Sequence, residues 1–261
     1  MGAAIANAAT LLNPKLIILY GSMLKLGEHF VEQLKAAIFE NSFQKILPEI
    51  TKAERMIFMK QVNIPFVENE IDWTVIPQIA IQEQVRVYES EATAYAQICY
   101  TKDALQVRLT ANEPEILRNE NDPLGMPCKD SCLEFFFCPK VDDIRYFNFE
   151  FNPNACMFLG FGPSIDELTR LIPIENQKEE LFAPEVSFHD GGWSVCFRVP
   201  YAFIRRFVPD FTPEPGSAIK GNFYKCGELL QQPHCLAWCM VAREGRSIFH
   251  TPEQFGTLHF I

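Results

Sequence analysis

Nine cysteines, at positions 99, 128, 132, 138, 156, 196, 226, 235 and 239, are the most reactive side chains of this 261-residue chain. Two spacings could hold zinc: three residues separate Cys128 from Cys132, and three separate Cys235 from Cys239, with His234 adjacent. Structural zinc sites pair their ligands across knuckles of about two to four residues. Against zinc, Cys132 and Cys138 fall in what reads as one strand, and Cys99, Cys138 and Cys196 lie in apolar runs. A free cysteine is a good small core residue. Buried thiols in a reduced compartment are therefore expected, and the odd count agrees with that. Calcium would need several oxygens from one loop. The segment NENDPLG at 119–125 is the better of two acidic loops, with Asn119, Asn121 and Asp122 as ligands; the other is PKVDDIRY at 139–146. Neither has the EF-hand spacing, and acidic turns are common without an ion.

Hydrolysis by paired carboxylates would need two of them across a cleft, about 5–9 Å apart. Glu134, Glu150, Asp130 and Asp190 are the candidates, but no pattern in the sequence sets one against another. A Ser–His–Asp nucleophile has no support, since the nucleophile-elbow signature is missing. His250, before Thr251-Pro252, reads as a turn or core residue, and His189, beside Asp190-Gly191-Gly192, as an exposed turn. The formal charge of -10, from 23 basic and 33 acidic groups, argues against a nucleic-acid partner, which needs a basic footprint.

The elements that must position these groups change character along the chain. GAAIANAATLLNP reads as a helix ending before Pro14, KLIILYG as a short buried strand, and 24–40 as an amphipathic helix through Leu26, Phe30, Leu34, Ala37 and Ile38. This α/β appendage at 1–42 is too small to bury its own faces, so its apolar stripe offers a homodimer contact. The apolar run Leu16 to Tyr20 is too short for a membrane span, and no basic region precedes it as in a signal peptide. A cytoplasmic protein without a membrane partner is expected. Residues 43–69 form a partly helical connection.

From Asp72 the rhythm is that of strands. EQVRVYE and ALQVRLTA alternate, and TAYAQICYT and SCLEFFFCP are further candidates. RYFNFEFNP puts Phe147, Phe149 and Phe151 on one face and Tyr146, Asn148 and Glu150 on the other. GWSVCFRVP aligns Trp193, Val195, Phe197 and Val199; AIKGNFYKC and CLAWCMV complete the series. Brief helical signals occur at 165–171 and 201–207. Many short strands between turns predict a mainly β domain at 70–261, an immunoglobulin- or jelly-roll-like β-sandwich. The 23 phenylalanines suit two apolar sheet faces pressed together.

Two resemblances add to this. Gly2 to Leu34, with Asn7, Leu12, Asn13, Pro14 and Gly21, resembles the C-terminal end of ROK family sugar kinases and repressors. That family's phosphate loop and catalytic aspartate would lie upstream, so the resemblance implies a fusion remnant without kinase activity. Residues from about 70 to 261 resemble the carbohydrate-binding module family 9-like domain. The residues that carry this are Asp72-Trp73, DSCLEFFFCP at 130–139, YFNFEFNPNA at 146–155, GGWSVCFRVPYAFI at 191–204, KGNFYKCG at 220–227, LAWCMV at 236–241 and FHTPEQFGTLHF at 249–260.

The resemblance implies non-catalytic binding of a mono- or oligosaccharide, with a β-linked oligosaccharide the best fit, and with calcium as a structural ion in some members. A sugar ring's apolar face stacks on an aromatic while amides, carboxylates and bases bind its hydroxyls. Trp238 is the first stacking candidate, followed by Trp73 and Trp193, although an alternating aromatic is more often core. Asn222 and Tyr224 share a face by the two-residue period, either as ligand contacts or as a buried polar pair. Glu134 and Arg108 would form a buried ion pair or line a cleft. The rival readings are a glycan-processing enzyme or accessory, and a structural sandwich whose sugar site is lost.

Overall fold

The computed structural model describes residues 60–86, 88, 90–174, 176–241 and 249–261. The N-terminal fragment at 1–42, the connection through residue 59 and a dimer contact by the N-terminal helices lie outside the described residues.

Two sheets carry the described chain. The smaller runs β10 (Glu185–His189), β11 (Gly192–Pro200), β5 (Ala104–Asn112), β4 (Thr93–Tyr100), β2 (Ile79–Ile81), all antiparallel. The larger runs β1 (Gln61–Ile64), β14 (Gly256–Phe260), β12 (Ala218–Gly227), β6 (Cys132–Cys138), β7 (Tyr146–Phe151), β8 (Met157–Gly162), β9 (Thr169–Arg170). Beside β14, the far half of β12 also takes β13 (His234–Ala237), which pairs in turn with β3 (Glu83–Gln84). β1 and β14 run parallel.

The alternation seen in the sequence builds the interior. Phe147, Phe149 and Phe151 of β7, Leu133, Phe135 and Phe137 of β6, and Trp193, Val195, Phe197 and Val199 of β11 meet in one buried cluster. Phe149 and Phe197 bridge the sheets at 5.7 Å between ring centroids. Each such buried side chain contributes about 1.5–3 kcal/mol over its exposed state. The helical signal at 201–207 becomes α1 (Tyr201–Ile204), whose Phe203 packs on Phe147; that at 165–171 shrinks to a 3-10 turn at Ile165–Glu167. Between β10 and β11 the turn needs Gly191, whose φ of 76° disfavours a side chain.

Three segments depart from the sequence reading. β1 lies in the stretch expected to be a connection. Among its described residues EQVRVYE forms only the two residues of β3, with one more bond to β13 from the Val85 N–H to the Cys235 carbonyl. CLAWCMV pairs only through Ala237; beyond it the Trp238 ring lies where a Cβ on Gly256 would stand, 2.6 Å away. No described helix is long and apolar enough to cross a membrane.

Candidate functional site

Both faces of β6 and β7 are buried, which is unusual for an antiparallel sheet. The phenylalanine face fills the sandwich. The opposite, outer face collects Cys132, Glu134, Phe136, Tyr146, Asn148, Glu150, Asn222, Tyr224 and Cys226. Strand register orders them in rows across the sheet. Glu150 stands opposite Glu134, which stands opposite Tyr224. Asn148 faces Phe136, and Phe136 faces Asn222. Cys132, Cys226 and Cys235 form a third row across β6, β12 and β13.

A roof covers this face. The Tyr224 hydroxyl donates to the Phe249 carbonyl at 2.9 Å, and the two rings stack at 4.3 Å. Tyr146 Oη and His250 Nδ1 share a hydrogen bond of 2.7 Å, and Phe255 meets the Tyr146 ring edge-on. Burial pushes the His250 imidazole down to about 4, so it is neutral. Half-buried Tyr88, Cys128, Leu168 and Phe249 form the rim.

The electrostatics under the roof are unbalanced. Asn148 Nδ2 donates to Glu150 Oε1 at 3.0 Å. Asn148 Oδ1 and Glu150 Oε2 are buried without a hydrogen-bond partner. Burial, and then repulsion by Glu150, push the Glu134 carboxyl well above the usual carboxylate range. Burial also raises Glu150, against hydrogen bonding by Asn148 and the field of Arg170. Among the described residues no salt bridge reaches either carboxylate.

The expected site residues divide between this face and the rest. Glu134, Asn222 and Tyr224 lie on it, and the shared face of Asn222 and Tyr224 is as the period required. Asn222 is nonetheless fully engaged: Nδ2 donates to Tyr224 Oη and the Cys239 carbonyl, and Oδ1 accepts from the Phe223 and Cys239 amides. The placing of Trp238, Trp193 and Arg108 at the site needs correction. Trp238 and Trp193 are in the sandwich interior, Trp238 against Phe223 and Trp193 donating from Nε1 to Glu113 Oε1 at 2.7 Å. Trp73 is half-buried on the far sheet, where Gln97 of β4 binds its carbonyl. Arg108 does not pair with Glu134. It points outward from β5, opposite Gln97 and Cys196, so the whole sandwich separates the two. Alternation placed Glu134, Asn222, Tyr224, Arg108 and Trp193 on their strands; it could not say which face of which sheet was roofed.

The loop expected to offer calcium ligands is held by hydrogen bonds of its own. Backbone oxygens of Arg118, Asn119 and Glu120 accept from Asn154, Asn121 and Asn152 side chains. Arg170 donates to the carbonyls of Leu124 and Gly125 at 2.7 Å each. Asp122 Oδ1 accepts from the Leu124 amide. The guanidinium thus ties down the end of the loop that carries Asp122.

Sequence reasoning missed Asn148, His250 and Phe249 as members of the site. The Tyr146–Asn148–Glu150 alternation was visible, but its opposition to Glu134 is a matter of register. Two cavities occur among the described residues, the first at the Tyr88 and Cys235 edge of this face. One of about 220 Å³, lined by Arg86, Tyr88, Ser90 and His234 among others, falls below the ~300–1,000 Å³ of small-molecule sites. Another of about 550 Å³, by Lys140, Asp210 and His259, contains none of the unpartnered buried side-chain atoms described.

Amides and carboxylates gathered on one sheet face under aromatic cover define a ligand-binding sandwich. The chain belongs to carbohydrate-binding family 9, whose family model matches residues 60–260. It is similar in fold to a candidate carbohydrate-binding protein from Bacteroides uniformis, with 24% identity and a TM-score of 0.66, covering 77% of this chain and 99% of that one. A family 9 carbohydrate-binding module from Caldicellulosiruptor kristjanssonii, solved with glucose, matches at 14% identity and a TM-score of 0.55, covering 77% and 96%. The cellotriose complex matches at 15% and 0.53, covering 77% and 93%. No curated protein matches this chain.

Proposed function

We propose that this chain binds a β-linked oligosaccharide without breaking it, on the outer face of the larger sheet. The observation that carries the site is the pair of buried, unpartnered acceptors, Asn148 Oδ1 and Glu150 Oε2, beside half-buried Phe249 and Tyr88. Sugar hydroxyls are the donors those oxygens lack, and a half-buried ring supplies the stacking surface. Glucose and cellotriose in the Caldicellulosiruptor complexes support the ligand class. Binding rather than hydrolysis is favoured because Glu134 and Glu150 are cross-strand neighbours on one face; a scissile bond cannot pass between them. The nine unbridged cysteines support a cytoplasmic setting, which points to short soluble oligosaccharides.

Calorimetric titration with cello- and xylo-oligosaccharides tests this. Saturable binding is expected, and Glu150→Gln should weaken it about tenfold or more, the worth of a hydrogen bond to a charged group. Heat-silent titrations across both series, or full affinity in both Glu150→Gln and Asn148→Ala, would sink the assignment. Tryptophan fluorescence should change little, since no tryptophan is on this face.

A further inference from the structure

The outer face sets a sulfur beside its carboxylates, a ligand that a sugar does not need. Cys132 Sγ and one carboxylate oxygen each from Glu134 and Glu150 lie within 4.8 Å of one another, all three residues buried. The half-buried Cys128, from the turn at Pro127–Lys129, packs against the same face. Ligand atoms around a tetrahedral zinc stand about 3.3–3.8 Å apart, as its ~2.0–2.3 Å bonds require.

Two further observations point to a cation. Glu150 Oε2 is unpartnered although the residue is only 6% exposed. The two carboxyls stand side by side with no basic group bonded to either among the described residues, and ionising both in that buried place needs a compensating cation. The nearest guanidinium, Arg170, is turned to the loop carbonyls instead. We propose that Cys132, Glu134 and Glu150, with Cys128 as fourth ligand, bind a divalent metal ion of the zinc type. A thiolate in the set selects against calcium, which takes six to eight oxygens. Half-buried Cys128 stands at the rim and opens the way in. On binding, the two thiols and the Glu134 carboxyl release their protons to solvent, and the metal takes the sulfur and carboxylate electron pairs.

The site shares two carboxylates with the proposed sugar face but does not rest on it. A chain that takes zinc and no sugar overturns the sugar reading alone; one that takes sugar and no zinc overturns this one alone. The full chain, stripped with chelator, is titrated with zinc in competition with a chromogenic chelator, and separately with cobalt. One equivalent should bind, and cobalt should give a thiolate-to-metal charge-transfer absorption in the near ultraviolet. Cys132→Ser should cut that absorption to about half, leaving the part due to Cys128, and weaken zinc on the order of 100-fold, beyond what loss of an outer-shell partner costs. Glu150→Gln, which preserves shape and removes charge, should weaken zinc by at least about tenfold. Cys196→Ser, on the other sheet, should change neither. Zinc that the chelator removes completely, a cobalt spectrum without the thiolate absorption, or Cys132→Ser and Glu150→Gln chains that bind as tightly as the parent would each overturn the proposal.

Discussion

His250 shows how a single side chain reports on the roof. Its imidazole is neutral because burial opposes charge, and its folded value of about 4 lies below the ~6.5 of an unfolded chain. The folded state therefore binds fewer protons than the unfolded one between those values. Its contribution is complete above pH 6.5 and falls away as pH drops toward 4, by ~3 kcal/mol. His250→Gln should remove this part of the acid sensitivity, read as a flatter dependence of denaturant midpoint on pH over that window. An unchanged slope would show that His250 is not held neutral by the fold. The same scale explains what the sequence hid. Trp238 is one residue from a strand end, and alternation assigns it a side, but in a sheet buried on both faces either side is apolar. Glu134 looked like a partner for Arg108 because both interrupt apolar runs; only register reveals that Glu150 is its neighbour.

Among the elements, β9 is two residues long yet organises a loop some 45 positions upstream. Arg170 binds the carbonyls of the 123–125 turn and lies over the Phe158 ring at 4.9 Å. Calcium removal with EGTA should leave the melting temperature unchanged. Arg170→Ala should speed amide exchange at Leu124 and Gly125 and leave those carbonyls to solvent. A chelator-sensitive melting temperature would show that an ion, not the guanidinium, holds the loop. The strands themselves were legible wherever one residue in two was aromatic or branched, as in β7 and β11. β1, β3 and β9 were not, being two to four residues long and defined by their neighbours more than by their own pattern.

The two sheets of the whole molecule are tied by charge as well as by phenylalanine. Lys225 of β12 meets Glu113, just past β5, at 2.8 Å with both side chains wholly buried, and His234 and Trp193 surround the same carboxylate. Burial alone would raise the Glu113 carboxyl, but His234 and the Lys225 ammonium hold it below its ordinary value. This contribution is present above the ~4.3 of an unfolded glutamate and is lost as pH falls through the lower folded value. Lys225→Met should cost about 3–5 kcal/mol in urea unfolding, since it strands a buried charge. Adding Glu113→Gln should restore much of that; a double variant as weak as the single would mean that the lysine acts through packing.

The parallel pairing of β1 with β14 has a consequence in time. Gln61 to Ile64 bond to a strand almost two hundred positions later, and β14 also supplies the neighbour for β12. Neither edge of that half-sheet can close until a ribosome has released the chain through Phe260. Until then β1 is an unclaimed strand edge, exposed to any other extended peptide that reaches it first. The domain's most vulnerable moment is therefore during its own synthesis.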